Sequence, residues 1–289
     1  MAKDILNIGG YTIIKRLGNG ARSTIYSARD DADDSIVALK RVIMETPEDA
    51  RVIEQTEMEF KVARQINHPY VRKCFKIKKI RQMFKVKELL MSMELFEGKT
   101  LEDSSTLSLG DVLLIFRMVA SGLNTMHQHG FVHCDMKPNN ILISKTGAIK
   151  IIDLGQSCPI GTTKARIQGT PDYIAPEQVK RKPLGPKTDI FNLGATMYWA
   201  VTGKNIPTLI PTQKNGLGLV EQTPKECPTP NQLKRQIRPD ISDLVMKCVK
   251  NDAAERPRNM MEIIVSLDTI IQTIFGKKIK TRQNGTNNR

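Results

Sequence analysis

The apolar residues of this 289-residue chain change their spacing part-way along it, and that change limits what it can fold into. From Tyr11 to Val42 they alternate in the strand manner, with turn-rich pieces at 18–20 and 30–34. Residues 47–66 become charged and helical and stop at Asn67-His68-Pro69, after which 70–96 is strand-like again. From Leu109 onward helical spacing dominates, notably over 111–129, closed by Gly130, and over 189–202, closed by Gly203. The shift near Gly98 predicts an α+β, two-lobed chain. Its small antiparallel β lobe with one main helix covers about 1–95, and a larger, mainly helical lobe about 98–275, with a hinge between them. Residues 203–240, rich in Pro, Gly and Lys, read as an irregular excursion between helices. Residues 274–289 read as a basic polar tail, frayed from 276.

Composition removes several alternatives. With 40% apolar and 26% charged residues the chain can bury a core and is neither disordered nor fibrous. Its apolar stretches, such as 111–120 and 190–201, break well short of the ~20 residues that span a bilayer, so no transmembrane segment is expected. Met1 is followed by Ala2, Lys3 and Asp4 without an apolar run, which predicts no secretory signal and a cytoplasmic location. Cys74, Cys134, Cys158, Cys227 and Cys248 are odd in number and contain no Cys-x-x-Cys pair, which argues against a disulfide framework or zinc ribbon. The net charge of +14 favours acidic or phosphate-bearing partners.

Three segments carry chemistry. Gly18-Asn19-Gly20-Ala21-Arg22-Ser23-Thr24-Ile25 sets small residues in a strand-turn-strand context, where backbone N–H groups can cover a triphosphate; by itself a glycine pair is equally a plain hairpin turn. Lys40 ends the apolar Val37-Ala38-Leu39 and needs a counter-charge or a phosphate. Glu59 on the predicted helix shares a face with Ala63 and Ile66 and is the obvious partner, although Glu54 and Glu57 leave a solvated face open as a reading. The third segment, His133-Cys134-Asp135-Met136-Lys137-Pro138-Asn139-Asn140, precedes Asp153-Leu154-Gly155 by 13 residues counted from Asn140. It assembles an Asp able to accept a hydroxyl proton, a Lys able to steady a phosphoryl group, and an Asn and an Asp able to hold Mg²⁺.

With these segments the chain resembles a eukaryotic-type (Hanks-type) serine/threonine protein kinase of bacterial look, over roughly 11–273. The resemblance implies the bilobal protein-kinase fold and transfer of the γ-phosphate of ATP to Ser or Thr hydroxyls of protein substrates, with Mg²⁺ or alternatively Mn²⁺. It makes Asp135 the catalytic base, assisted by Lys137 and Thr170, and Asn140 and Asp153 the metal ligands. Leu17, Gly18, Asn19, Gly20, Ala21, Arg22, Ser23, Thr24 and Ile25 would form the loop over the nucleotide, and Lys40 with Glu59 would align its phosphates. Ile25, Ala38 and Leu142 would sandwich the adenine, with Met93 as gatekeeper and Glu94 to Phe96 supplying hinge hydrogen bonds. Gly169 to Glu177 resembles the substrate-docking loop, Arg256 the buried arginine that pairs with Glu177, and Asp189 the anchor of the catalytic loop. The chain departs from the family pattern at three places: Cys134 stands where Arg is usual before the catalytic Asp, Leu154 for Phe, and Ser23 for the third glycine.

Two further signals have competing readings. His127, His129, His133 and Cys134 cluster, but helix-end and loop roles explain them better than a metal does. Arg72 to Lys87 holds eight basic residues in sixteen with one solvated strand face as the simplest account; a docking surface for acidic or phosphorylated partners is the sharper one, and nucleic acid is not expected. A pseudokinase scaffold or a small-molecule phosphotransferase remain open as alternative functions. The first should lack one of Lys40, Asp135, Asn140 or Asp153, all of which are present, and the second does not call for the docking loop.

Overall fold

Tyr11–Gly20 (β1), Ser23–Asp30 (β2) and Ile36–Ile43 (β3) form an antiparallel meander, followed by helix Asp49–Ala63 (α1) and the hairpin Cys74–Gln82 (β4) with Lys85–Met93 (β5). This is a computed structural model, and it describes residues 6–20, 22–104, 107–207, 214–215, 218–219 and 227–285, with side chains to 276. Met1 to Asp4, Ala21 and much of the 203–240 excursion, read above from sequence, lie outside the described residues.

The five strands run in the order β1-β2-β3-β5-β4. β3 is central, so Val37, Ala38 and Leu39 are all buried and the two-residue alternation disappears there. One core gathers Ile8, Tyr11, Ala28, Val37, Leu39 and Leu90; the other places Val42 and Leu89 against Ile53 of α1. α1 buries Ile53, Thr56, Glu59 and Val62, spaced for one helical face. The β4–β5 turn puts Met83 (φ 47°) and Phe84 (φ 68°) in left-handed backbone, a two-residue turn that normally takes Asn-Gly.

Beyond Gly98 come Lys99–Thr100 (β6), Leu109–Gln128 (α2), Phe131–Val132 (β7), Ile141–Ile143 (β8), Ile149–Ile151 (β9), Cys158–Pro159 (β10), Pro176–Val179 (α3) and Pro186–Thr202 (α4). Then follow Lys214–Asn215 (β11) and Gly218–Leu219 (β12), Pro230–Leu233 (α5), Pro239–Cys248 (α6) and Met260–Gly285 (α7). Ser108 and Asp111 close a capping box at the start of α2, and Gly203 ends α4 in left-handed backbone (φ 74°). By length and composition alone α2 could cross a membrane, but Leu113, Phe116, Val119, Leu123 and Met126 are buried in the core, where the helix packs on α7 and α4. α4 is buried on nearly every side, and Gly194 leaves no room for a Cβ against Cys248 of α6. α7 continues helical to Gly285, past the point where fraying was expected, because Lys, Arg and Gln are sound helix formers.

The chain divides into two compact units, Met1–Gly98 with Lys150–Ser157, and Lys99–Ile149 with Cys158–Arg289. The sequence places 150–157 in the helical lobe; the structure places it with the strands. Ile151 bridges Val71 in parallel, and the 3-10 turn Leu154–Gln156 packs on α1, contacts between distant segments that no local pattern records.

Candidate active site

In the first unit, Lys40 of β3 reaches Glu59 of α1, with Nζ 2.7 Å from Oε2. Arg72, which the sequence reading counted only as part of the basic strip, lies 3.7 Å from the other Glu59 oxygen. Burial pulls the Lys40 amine down, but the Glu59 and Asp153 carboxylates outweigh it and hold the amine above its ordinary value. Asp153 takes left-handed backbone (φ 61°), and Gly155 follows because a Cβ there would press on the Asp153 carboxylate and on Gln55 of α1. The Phe-to-Leu departure leaves the apolar plug in place, since Leu154 is buried.

The glycine-rich hairpin pairs Gly18 with Ile25, Asn19 with Thr24 and Gly20 with Ser23. Arg22 donates to Asp49 at the start of α1 (2.7 Å), so its guanidinium is engaged with protein. Ala38 and Met93 are adjacent in register and buried, Ile25 is half-buried, and Leu17 is more exposed. Glu94 donates its N–H to the Lys73 carbonyl (2.9 Å) and pairs with Lys150 (2.7 Å); Phe96 is half-buried.

In the second unit the loop 133–140 runs between β7 and β8 and hangs on Asp189 of α4. This carboxylate, fully buried, accepts the backbone N–H groups of His133 and Cys134 and bonds the His127 ring, each at 2.8 Å. Burial drives Asp189 up, but the His127 hydrogen bond and these neighbours more than compensate, so it stays below the usual carboxylate value. His133 Nδ1 accepts the Asp135 N–H (3.2 Å) and His129 bonds the Thr125 carbonyl (2.8 Å). The histidine cluster thus shapes the loop and the helix end.

The Asp135 carboxylate sits in a closed network. Thr170 donates its hydroxyl (2.9 Å) and its N–H (3.1 Å) to Oδ1, Lys137 lies 3.0 Å from Oδ2, and Lys137 also donates to the Thr170 hydroxyl (2.8 Å). Asn140 donates its amide to the Asp135 carbonyl (2.8 Å), which directs its own Oδ1 away from that contact. Leu142 follows on β8, half-buried. Gln178, which sequence reasoning missed, joins the loops by donating to the carbonyls of Cys134 (2.8 Å) and Gln168 (3.0 Å). A lone Gln after Ala-Pro-Glu gives no sequence signal of that role. Glu177 and Arg256 form a two-pronged pair at 2.8 and 3.0 Å.

A sequence model described as the protein kinase domain matches residues 11–266. The chain belongs to the protein kinase family. This kinase is 30% identical to serine/threonine-protein kinase PknA of Mycobacterium tuberculosis over 256 residues, 85% of this chain and 58% of that protein. It is 32% identical to serine/threonine-protein kinase SMU1 of Mycosarcoma maydis over 67% of this chain and 26% of that one. A probable serine/threonine-protein kinase of Clostridium perfringens is 27% identical over 90% of this chain and 38% of its own. The kinase chain therefore spans only about a quarter to three-fifths of the length of these relatives.

The Asn140 amide oxygen and the Asp153 carboxylate are each of the donor type that a hard divalent cation such as Mg²⁺ takes. The basic strip is partly neutralised by residues far away in sequence. Lys76 pairs with Asp30 (2.7 Å) and Asp33 (3.3 Å), Lys79 pairs with Glu57, and Lys78 donates to the Gly9 carbonyl (2.8 Å).

Proposed function

We propose that the chain transfers the γ-phosphate of ATP to Ser or Thr hydroxyls of protein substrates. The observation that carries this reading is the Asp135 network, which holds a carboxylate beside a lysine amine on the loop that also bears Asn140. Thr170 fixes Oδ1, so Oδ2 is the oxygen that receives the acceptor's proton, and the Lys137 amine offsets charge on the phosphoryl oxygens. Lys40, oriented by Glu59, aligns the nucleotide phosphates under the 17–25 hairpin, and Ala38, Ile25, Met93, Glu94, Phe96 and Leu142 take the adenine. Asn140 and Asp153 would hold Mg²⁺, which supplies charge neutralisation at the phosphates. The serine/threonine kinases among the relatives and the Lys137–Thr170 bond support Ser/Thr over Tyr acceptors.

Five free cysteines support a reducing, cytoplasmic setting. Acidic or phosphorylated partners would dock at the β4–β5 tip. There Arg81, Lys85 and Lys87 are exposed and form no ion pair among the described residues, beside Met83 and Phe84, 86% and 97% exposed.

The test is incubation with labelled ATP, Mg²⁺ and a generic protein substrate, with Asp135→Asn as control, followed by phosphoamino-acid analysis. Phosphoserine or phosphothreonine should appear, and the variant should lose about 10² or more in rate while still binding ATP. Nucleotide binding without transfer by the wild type would replace this reading with a scaffold.

A further inference from the structure

Cys134 and Cys158 both lie in the second unit, with their Sγ atoms 3.7 Å apart, and the transfer chemistry uses neither. Cys158 opens β10 opposite Val132 of β7. Two residues on, Cys134 turns out of the strand direction in left-handed backbone (φ 66°), which no glycine is present to ease. The sulfurs share an apolar pocket with Val132 and Leu184. Both are buried, Cys134 at 1% exposure and Cys158, the less covered of the two, at 5%.

The main chain on the Cys134 side is fixed. Its N–H donates to Asp189 and its carbonyl accepts from Gln178, both at 2.8 Å. A disulfide needs about 2.05 Å between sulfurs, so closing the gap takes side-chain rotation and a small shift of β10. The remaining cysteines are placed differently, with Cys74 in the first unit, Cys227 just ahead of α5 and Cys248 on α6.

We propose that Cys134 and Cys158 form a modification site for hydroperoxides, at which the dithiol is oxidised to a Cys134–Cys158 disulfide. The pair is chemically unequal. The hydrogen bond from the Cys134 thiol, against burial and with help from the Lys164 cation, holds Cys158 down to about 7. The same hydrogen bond, with burial, pushes Cys134 well above its ordinary value. Cys158 is therefore the attacking thiolate and Cys134 the resolving thiol. The Cys158 sulfur attacks one oxygen of hydrogen peroxide, the S–O bond forms, the O–O bond breaks, and the leaving hydroxide takes the thiol's proton as water. The Cys134 sulfur then attacks the Cys158 sulfenic acid; the S–S bond forms, the S–O bond breaks, and the second hydroxide leaves with the Cys134 proton. Two thiols and one peroxide become a disulfide and two waters. Both electrons come from the sulfurs and reduce the peroxide oxygens.

The new bond would tie β10, where the 156–168 segment begins, to the residue before Asp135. Turnover should fall, because Thr170 and Asp135 hold each other across that segment.

The experiment treats the full chain, purified reduced and then freed of reductant, with hydrogen peroxide, and maps its peptides under non-reducing conditions. This mapping stands whether or not the chain is an active kinase. Peptides bearing Cys134 and Cys158 should appear joined and two hydrogens lighter, and should separate with dithiothreitol. Turnover on a peptide should fall about tenfold or more and return on reduction. Cys158→Ser should keep resting activity and lose this sensitivity. Cys134→Ser should stop at a Cys158 sulfenic acid trappable by a 1,3-dicarbonyl reagent, a readout that stands even if the other variant does not fold. Thiols at 134 and 158 that survive while other cysteines oxidise would overturn the proposal, as would linkage to a different cysteine or full sensitivity in Cys158→Ser.

Discussion

Two ion pairs, one in each unit and each with one buried partner, solve the same problem differently. Arg256, with a side chain 0% exposed, uses every guanidinium nitrogen. It bonds both Glu177 oxygens and the carbonyls of Lys187, Lys250 and Asn251, and it stacks 4.9 Å over Phe191. Lys40 bonds Glu59 through one contact and keeps 15% of its side chain open. A cation whose donors are all used is an anchor for the fold, whereas one held by a single oxygen can still receive a ligand.

The contrast is most severely tested at Arg256. Arg256→Ala leaves the half-buried Glu177 and three backbone carbonyls without their partner and should cost about 3–5 kcal/mol in denaturant unfolding; a loss under about 1 kcal/mol would remove the anchor reading. Lys40→Met should instead reduce transfer by about 10², or ~2.7 kcal/mol in the barrier, with a much smaller change in stability because Arg72 still faces Glu59. Unfolding shifts of equal size in the two variants would abolish the distinction.

The pairs should also fail at opposite ends of the pH scale. Burial raises the Glu177 carboxyl, but Arg256 outweighs it and holds it below its ordinary value. Its contribution is therefore present at neutral pH and lost as pH falls below about 4.3, the ordinary glutamate value, toward the depressed one. Lys40 is held up, so its contribution is complete below about 10.4 and lost as pH rises beyond that. Unfolding midpoints across pH should flatten on the acid side in Glu177→Gln and on the alkaline side in Lys40→Met.

A smaller effect is expected where a cation is missing altogether. Cys134 removes the arginine that would grip a phosphorylated 156–168 segment, Ser157 is buried, and the Thr162 hydroxyl donates to the Pro159 carbonyl (2.7 Å), leaving Thr163 exposed. Converting Ser157, Thr162 and Thr163 together to Ala should lower the initial rate by less than about tenfold. The smallest change belongs to fully solvated cations. Gln at Arg81, Lys85 and Lys87 should leave short-peptide turnover within about twofold, and a large fall would mean that the tip serves the site itself.

The elements, and the grouping of Asp135, Lys137 and Asn140 on one loop, were legible because both are written locally. Strand alternation, the Gly130 and Gly203 stops, and the Asp135 to Asn140 spacing need no knowledge of distant contacts. What escaped was non-local. Arg72 shares Glu59 with Lys40, Gln178 joins two loops, and Asp30, Asp33 and Glu57 neutralise lysines that look unpaired in a linear reading. The closeness of Cys134 and Cys158 belongs to the same class, since it follows from the pairing of β7 with β10.

The assignment of Lys150–Ser157 to the strand-rich unit has a consequence for the order in which this protein is made. A ribosome delivers Met1–Gly98, including the whole five-stranded sheet and α1, and must then synthesise all of Lys99–Ile149 before the last piece of that first unit exists. Until then the face of α1 that receives Leu154 and Gly155, and the Val71 edge that receives Ile151, have nothing to close on them. A fragment ending at Gly98 is thus a nascent intermediate and not a finished domain, and the first unit is completed only after the second has begun to emerge.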